Sequence, residues 1–239
     1  MSRVTRFVAW AGLAMFLAMC PALLSGEDAK PGASIMATPP EDMGKLLNIV
    51  RSSDAPLFDR AMACKRLAVI GNKDAVPVLA PLLADEKLAH YARYGLEPIP
   101  HPSVDEALRD ALGKLKGKLL IGVISSCGAR KDAKAVGRLS ALLSDSDVGV
   151  AAVAARTLGR IGTSDAAKAL QKSLADAPAK LRPDVAEGCL RCAEALLKQG
   201  KKDEALALYE SVGKADLPKH FGVAVARGRI QAVRGDVKP

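Results

Sequence analysis

Apolar positions recur along residues 136–174 at helical spacing, and polar clusters interrupt them at regular intervals. Val136, Leu139, Leu142 and Leu143 mark one helical stripe, which the run Ser144-Asp145-Ser146-Asp147 breaks. A second amphipathic helix follows, with Val150, Ala154, Leu158 and Ile161 on its apolar side and Arg156 and Arg160 beside them. Gly162 ends it, because glycine adopts the left-handed conformation of a helix C-terminus without penalty. Ser164 or Asp165 is placed to cap the next helix, whose Leu170 and Leu174 repeat the pattern. A two-helix unit of this size cannot bury its own apolar face and must stack on similar units.

The punctuation supplies the copies. Glycine followed three or four residues later by Asp occurs at Gly71/Asp74, Gly128/Asp132, Gly162/Asp165 and Gly200/Asp203, with Gly235-Asp236 at the tail. The intervals between the last four glycines are 34, 38 and 35 residues, whereas 57 residues separate Gly71 from Gly128. That gap accommodates two short units, divided near Pro98-Ile99-Pro100-His101-Pro102. A period in the thirties with two helices per unit predicts an all-α solenoid of about six antiparallel pairs. The pairs fall near 42–71, 74–97, 103–128, 132–162, 165–200 and 203–235. No polar helix caps the last pair, which implies that a further domain, subunit or chain covers it.

The pattern changes character at the N-terminus. Arg3 and Arg6 precede an apolar run from Phe7 to Leu24, followed by Ser25-Gly26-Glu27-Asp28. A basic start, an apolar stretch and small residues before a polar segment predict an export signal over residues 1–26, cut after Ala22 or Gly26. The alternatives are an uncleaved membrane anchor and, through Leu17-Ala18-Met19-Cys20, a lipid-modified Cys20. Residues 27–40, rich in Pro and Ala, read as a flexible linker, and residues 41–239 as the helical-repeat domain. Glu41 and Asp42 suit the first turn of the first helix. The expected location is the periplasm or cell envelope.

Composition narrows the function. The net charge of +9 falls to +7 without Arg3 and Arg6, and the chain after residue 26 keeps no Trp. A positive balance with few stacking aromatics favours an acidic protein over nucleic acid. Cys64, Cys127, Cys189 and Cys192 each fall within or at the end of a predicted helix, where they serve as buried apolar filler. Four cysteines allow three pairings, among which spacing does not choose. Cys189 and Cys192 form a lone CxxC without the following His of a haem site or a second CxxC for zinc. No HExxH, GxSxG, phosphate loop, GxGxxG or paired carboxylates occur, so an enzyme is the disfavoured class and no cofactor or metal is expected.

The repeats are similar to a known family. LSALLSDSDVGVAAVAARTLGRIG and LAVIGNKDAVPVLAPLLAD resemble HEAT repeats of the bacterial, PBS-lyase-like kind, with Pro77 and Pro81 in a first helix. The resemblance covers residues 42–175 and implies a right-handed, HEAT/ARM-like α-solenoid. Ala193, Leu196, Gly200, Ala205, Leu208 and Tyr209 look more like a tetratricopeptide pair. Neither resemblance names a ligand. The implied role is an exported, non-enzymatic scaffold for another protein. HEAT-like nucleic-acid binders and accessory lyases or chaperones for cofactor-bearing proteins are the alternatives.

Two regions are candidate partner sites. The first is the irregular segment before the prolines, with His90, Tyr91, Arg93 and Tyr94. His90 and Tyr94 share a face at i, i+4, as do Arg93 and Glu97. The competing reading is that the tyrosines fill space in a short repeat and Arg93–Glu97 is a surface pair. The second is a basic row. Six residues before each closing glycine stand Lys65, Gly122, Arg156, Glu194 and Arg229, with Arg160 and Arg227 nearby. A solvated face interrupted by Glu194 is the alternative to a groove for an acidic partner.

Overall fold

The structure, a computed structural model, describes residues 42–234. The expected export signal and linker, Glu41 and Gly235-Asp236 lie outside the described residues, which all belong to the compact unit Pro40–Pro239. They form twelve α-helices with short 3-10 turns and no strand. The helices pair as α1 (Met43–Arg51) with α2 (Leu57–Ile70), α3 (Val76–Leu79) with α4 (Ala89–Leu96), and α5 (Pro102–Leu112) with α6 (Gly117–Ala129). Then come α7 (Val136–Ala141) with α8 (Val148–Ile161), α9 (Ser164–Asp176) with α10 (Arg182–Lys198), and α11 (Lys202–Lys214) with α12 (Lys219–Arg234). This is the α-solenoid that the glycine spacing predicts.

Local chemistry explains the boundaries. Asp42 caps α1 by accepting from the Gly44 amide at 2.8 Å, and Asp147 does the same for α8 with Gly149. Gly162 closes α8 in the left-handed conformation, φ 68°. The cap of α9 differs from the expected Ser164 or Asp165. It is Thr163, whose hydroxyl accepts from the Ala166 amide at 3.2 Å. Gly128 also differs, for it lies inside α6, buried against Thr157, and Lys131 takes the positive φ instead. The first members of the second and fourth pairs are broken helices, each a short α segment between 3-10 turns. In the second pair Pro77 and Pro81 remove amide donors that a continuous helix would use.

One continuous apolar core runs from Leu46 to Ala232. The second helix of each pair stacks on its neighbours through small residues. α8 and α10 approach most closely where Gly159 meets Gly188, a spacing that leaves no room for a Cβ on either. Polar ties cross the same boundaries: Arg109 to Asp132 at 2.6 Å, Gln199 to the Gly162 carbonyl at 2.9 Å, and Lys201 to Ser164 at 2.8 Å. Among the described residues no helix is long and apolar enough to cross a membrane.

Candidate functional site

α2 turns Ala61, Cys64 and Leu67 into the core. Its opposite face carries Phe58, Met62, Lys65 and Val69 at i, i+4, i+7 and i+11, and all four are exposed. Phe58 is 72% and Val69 81% exposed, unusual for large apolar side chains set in a single row. α4 continues this face. Ala89, Ala92 and Leu96 point inward, while His90 and Tyr94 point outward. Lys65 Nζ lies 5.7 Å from the centre of the Tyr91 ring, and the His90 ring meets Tyr91 edge-on at 5.5 Å. Tyr91 itself is half-buried against the core. Tyr94, 53% exposed, lines a groove of about 580 Å³ together with Val69, Pro98, Pro100 and Arg130.

The proline-rich bend beneath this groove is held by one side chain. Arg130, at the end of α6, donates from Nη1 to the carbonyls of Glu97 and Ile99, both at 2.8 Å. Its other nitrogens engage Asp105, and the His101 carbonyl accepts at 3.4 Å. The hydrogen bond to Asp105 raises the guanidinium pKa further, so the clamp stays charged. Arg93 and Glu97 do not form the expected ion pair. Arg93 reaches α6, where Nη1 donates to the Gly122 carbonyl at 3.3 Å. Glu97 accepts from the Ser126 hydroxyl at 2.6 Å. A one-repeat offset brings each side chain over the next helix, and that shorter reach wins over the i, i+4 contact.

The basic row resolves unevenly. Lys65 belongs to the α2–α4 face. The gap at Gly122 is occupied by the Arg93 guanidinium, which would lie 2.7 Å from a Cβ placed there. Arg156 is half-buried and ion-paired with Asp184 of α10, so it is a tie between repeats and not a free cation. Arg160 is exposed at the end of α8 beside Gly128. Arg229 is exposed on α12, where its charge acts on Glu210 of α11. Lys65 and, in the place of Gly122, Arg93 are the row's cations on the α2–α4 side. Neither forms an ion pair with a described carboxylate.

The four cysteines are buried free thiols. Burial pushes Cys64 up to about 11 and Cys127, Cys189 and Cys192 up to about 12. Among the described residues no three His, Cys, Asp or Glu side chains converge on a metal-sized site.

The stacked pairs, their close glycine contacts and the arginine ties between them are the background for comparison with known proteins. Residues 100–191 match the family model for HEAT repeats. The match begins at the bend and ends within α10, before the residues that resemble a tetratricopeptide pair. Two engineered proteins solved by a structural-genomics consortium are similar in structure. The first has a TM-score of 0.51 at 18% identity, covering 82% of this chain and 98% of its own. The second, with a TM-score of 0.46 at 18% identity, covers 81% and 57%. At that identity the first likeness concerns the fold alone. No curated protein matches the chain.

Sequence reasoning singled out the aromatic half of the exposed α2–α4 face and not its apolar half. Phe58, Met62 and Val69 are spaced as a core stripe would be, and only the competing stripe Ala61, Cys64 and Leu67 reveals that two faces of α2 are apolar. Arg130 gave no sequence signal, because its partners, Asp105 and backbone carbonyls, lie 25 to 33 residues away.

Proposed function

We propose that the protein is an exported, non-enzymatic helical-repeat scaffold that docks another protein on its α2–α4 face. The observation that carries this reading is the exposed row Phe58, Met62 and Val69 beside Tyr94 and its groove. Aromatic and Met side chains are the types enriched in interface cores, and solenoids use such extended surfaces for binding. Lys65 and Arg93 border the row without carboxylate partners, which favours a partner bearing Asp or Glu beside its apolar anchors. Export rests on the N-terminal sequence, Arg3 and Arg6 followed by the apolar run 7–24.

A photo-crosslinking residue at position 58, used in the native envelope, identifies the partner. With that partner purified, Tyr94→Ala and Arg93→Ala each weaken binding by more than about 1 kcal/mol, whereas Arg229→Ala has much less effect. Each variant's melting temperature is measured beside its affinity. Equal losses at all three positions, or losses that track stability, would assign the face a packing role only.

A further inference from the structure

A second exposed apolar row lies on α12, and its chemistry differs from that of α2–α4. α12 turns Phe221, Val225, Gly228 and Ala232 toward the core. Outward it presents Val223, Ala226, Ile230 and Val233 at i, i+3, i+7 and i+10. Val223 and Val233 are each 71% exposed and Ile230 is 53% exposed. Arg227 and Arg234 follow Val223 and Ile230 by four residues and flank the row on one side, while Arg229 flanks it on the other. All three arginines are exposed, and α12 contains neither Asp nor Glu. Two acids face this helix from its neighbours. Glu194 of α10 lines a cavity with Arg227, and Glu210 of α11 feels Arg229 but is hydrogen-bonded to Lys214.

The row on α2–α4 mixes aromatic rings, Met and a few cations, as protein interfaces do. The row on α12 is aliphatic, narrow and bordered by arginine on both sides, the arrangement of helices that lie in a bilayer interface. We propose that α12 seats the scaffold on an anionic lipid surface. The aliphatic row enters the headgroup region, and the arginine stems extend along it to place their guanidinium groups at lipid phosphates. The α2–α4 face takes no part in this contact.

The test uses the full chain carrying Trp10→Phe and Val223→Trp, so that a single indole reports on α12 whatever the apolar run 7–24 does. Vesicles of phosphatidylglycerol, with and without brominated tails, are compared with phosphatidylcholine vesicles at 0.15 M salt, roughly physiological ionic strength. The expected result is a blue shift and bromine quenching with phosphatidylglycerol only. The pair Arg227→Glu and Arg234→Glu, at unchanged melting temperature, reduces that partitioning at least roughly 25-fold, from about fivefold per lost cation. The pair Arg227→Gln and Arg234→Gln gives the same direction should the reversal prevent folding. Three results overturn the proposal: no shift with phosphatidylglycerol, an equal shift with phosphatidylcholine that ignores the charge variants, or a shift without lipid. The last, accompanied by a dimer in light scattering or produced by polyglutamate alone, would assign the row to a second copy or to an acidic protein.

Discussion

Arg93 lays its guanidinium against the bare backbone of Gly122, filling the position on α6 where every other residue would carry a Cβ. A cation on one helix thus supplies the surface of the next, at the place where the basic row lacks one. Gly122→Ala places a methyl group 2.7 Å from the guanidinium carbon and must displace the side chain. The displaced group is the end of a flexible side chain, and alanine gains up to about 1 kcal/mol of helix propensity over glycine. Stability is therefore expected to change by less than about 1 kcal/mol, while partner affinity falls as it does for Arg93→Ala. Denaturant unfolding and affinity, measured on both variants, check this. A large stability loss in Gly122→Ala would mean that α4 and α6 cannot separate to accommodate the methyl group.

Arg130 donates to three carbonyls of a bend in which Pro98, Pro100 and Pro102 supply no amide donors, and the Glu97 carbonyl depends on it alone. Arg130→Ala leaves the Glu97 carbonyl and the half-buried Asp105 without this donor, while the Ile99 and His101 carbonyls keep the His101 and Val104 amides, at an expected cost of about 2–3 kcal/mol. Arg130→Lys recovers little, because an ammonium cannot reproduce the planar fork that reaches carboxylate and carbonyls at once. Chemical denaturation of the two variants is the measurement, and near-complete rescue by Lys would show that charge alone holds the bend.

The buried thiols and Tyr209 predict alkaline instability. In the unfolded chain the thiols ionise near 9 and the phenol near 10, but burial raises Cys64 to about 11 and the others to about 12. Above pH 9 the unfolded state loses protons that the folded state keeps, so unfolding becomes easier as pH rises. Stability is full below about pH 9 and falls progressively toward pH 12, each group contributing a slope of up to about 1.4 kcal/mol per pH unit. Urea titrations between pH 8 and 11 record this. A flat profile would show that the thiols ionise without unfolding.

The solenoid was legible because its signals are local. Glycine and Asp at helix ends repeat every thirty-odd residues, and Val150, Ala154, Leu158 and Ile161, buried together, already form a stripe in sequence. The site was legible only in part because its geometry is set between repeats. Arg156 looked free on its own helix, yet Asp184 meets it from the next one. Arg93 and Glu97 looked like a pair, yet each found a partner on α6. Contacts offset by about thirty residues leave no trace in a helical period of 3.6.

Leu158 and Arg156, two positions apart on α8, set up a stability contrast. Leu158→Ala, at a fully buried position of α8, is expected to cost about 2–5 kcal/mol through cavity formation. Arg156→Ala loses an ion pair that solvent still reaches, so its cost is not zero but stays below about 1 kcal/mol. Thermal melts of the two variants decide it, and equal losses would mean that the faces of α8 are assigned wrongly.

Tyr209 offers the cleanest separation of packing from polarity. Its ring packs on Gly228, where any Cβ would collide with it, and among the described residues its hydroxyl is the one buried side-chain polar atom without a hydrogen-bond partner. Burial, with the nearby Glu194 charge, pushes the phenol up to about 12. An unpaired buried hydroxyl is a destabilising feature, and the aromatic ring supplies the packing without it. Tyr209→Phe is therefore expected to raise stability by about 1 kcal/mol near neutral pH. It also removes one titrating group, so the loss between pH 10 and 12 becomes shallower than in the parent chain. Urea unfolding at pH 7 and pH 10.5 reads both effects. A variant less stable than the parent would show that the hydroxyl is bonded in solution, to Glu194 or to water in the cavity they both line.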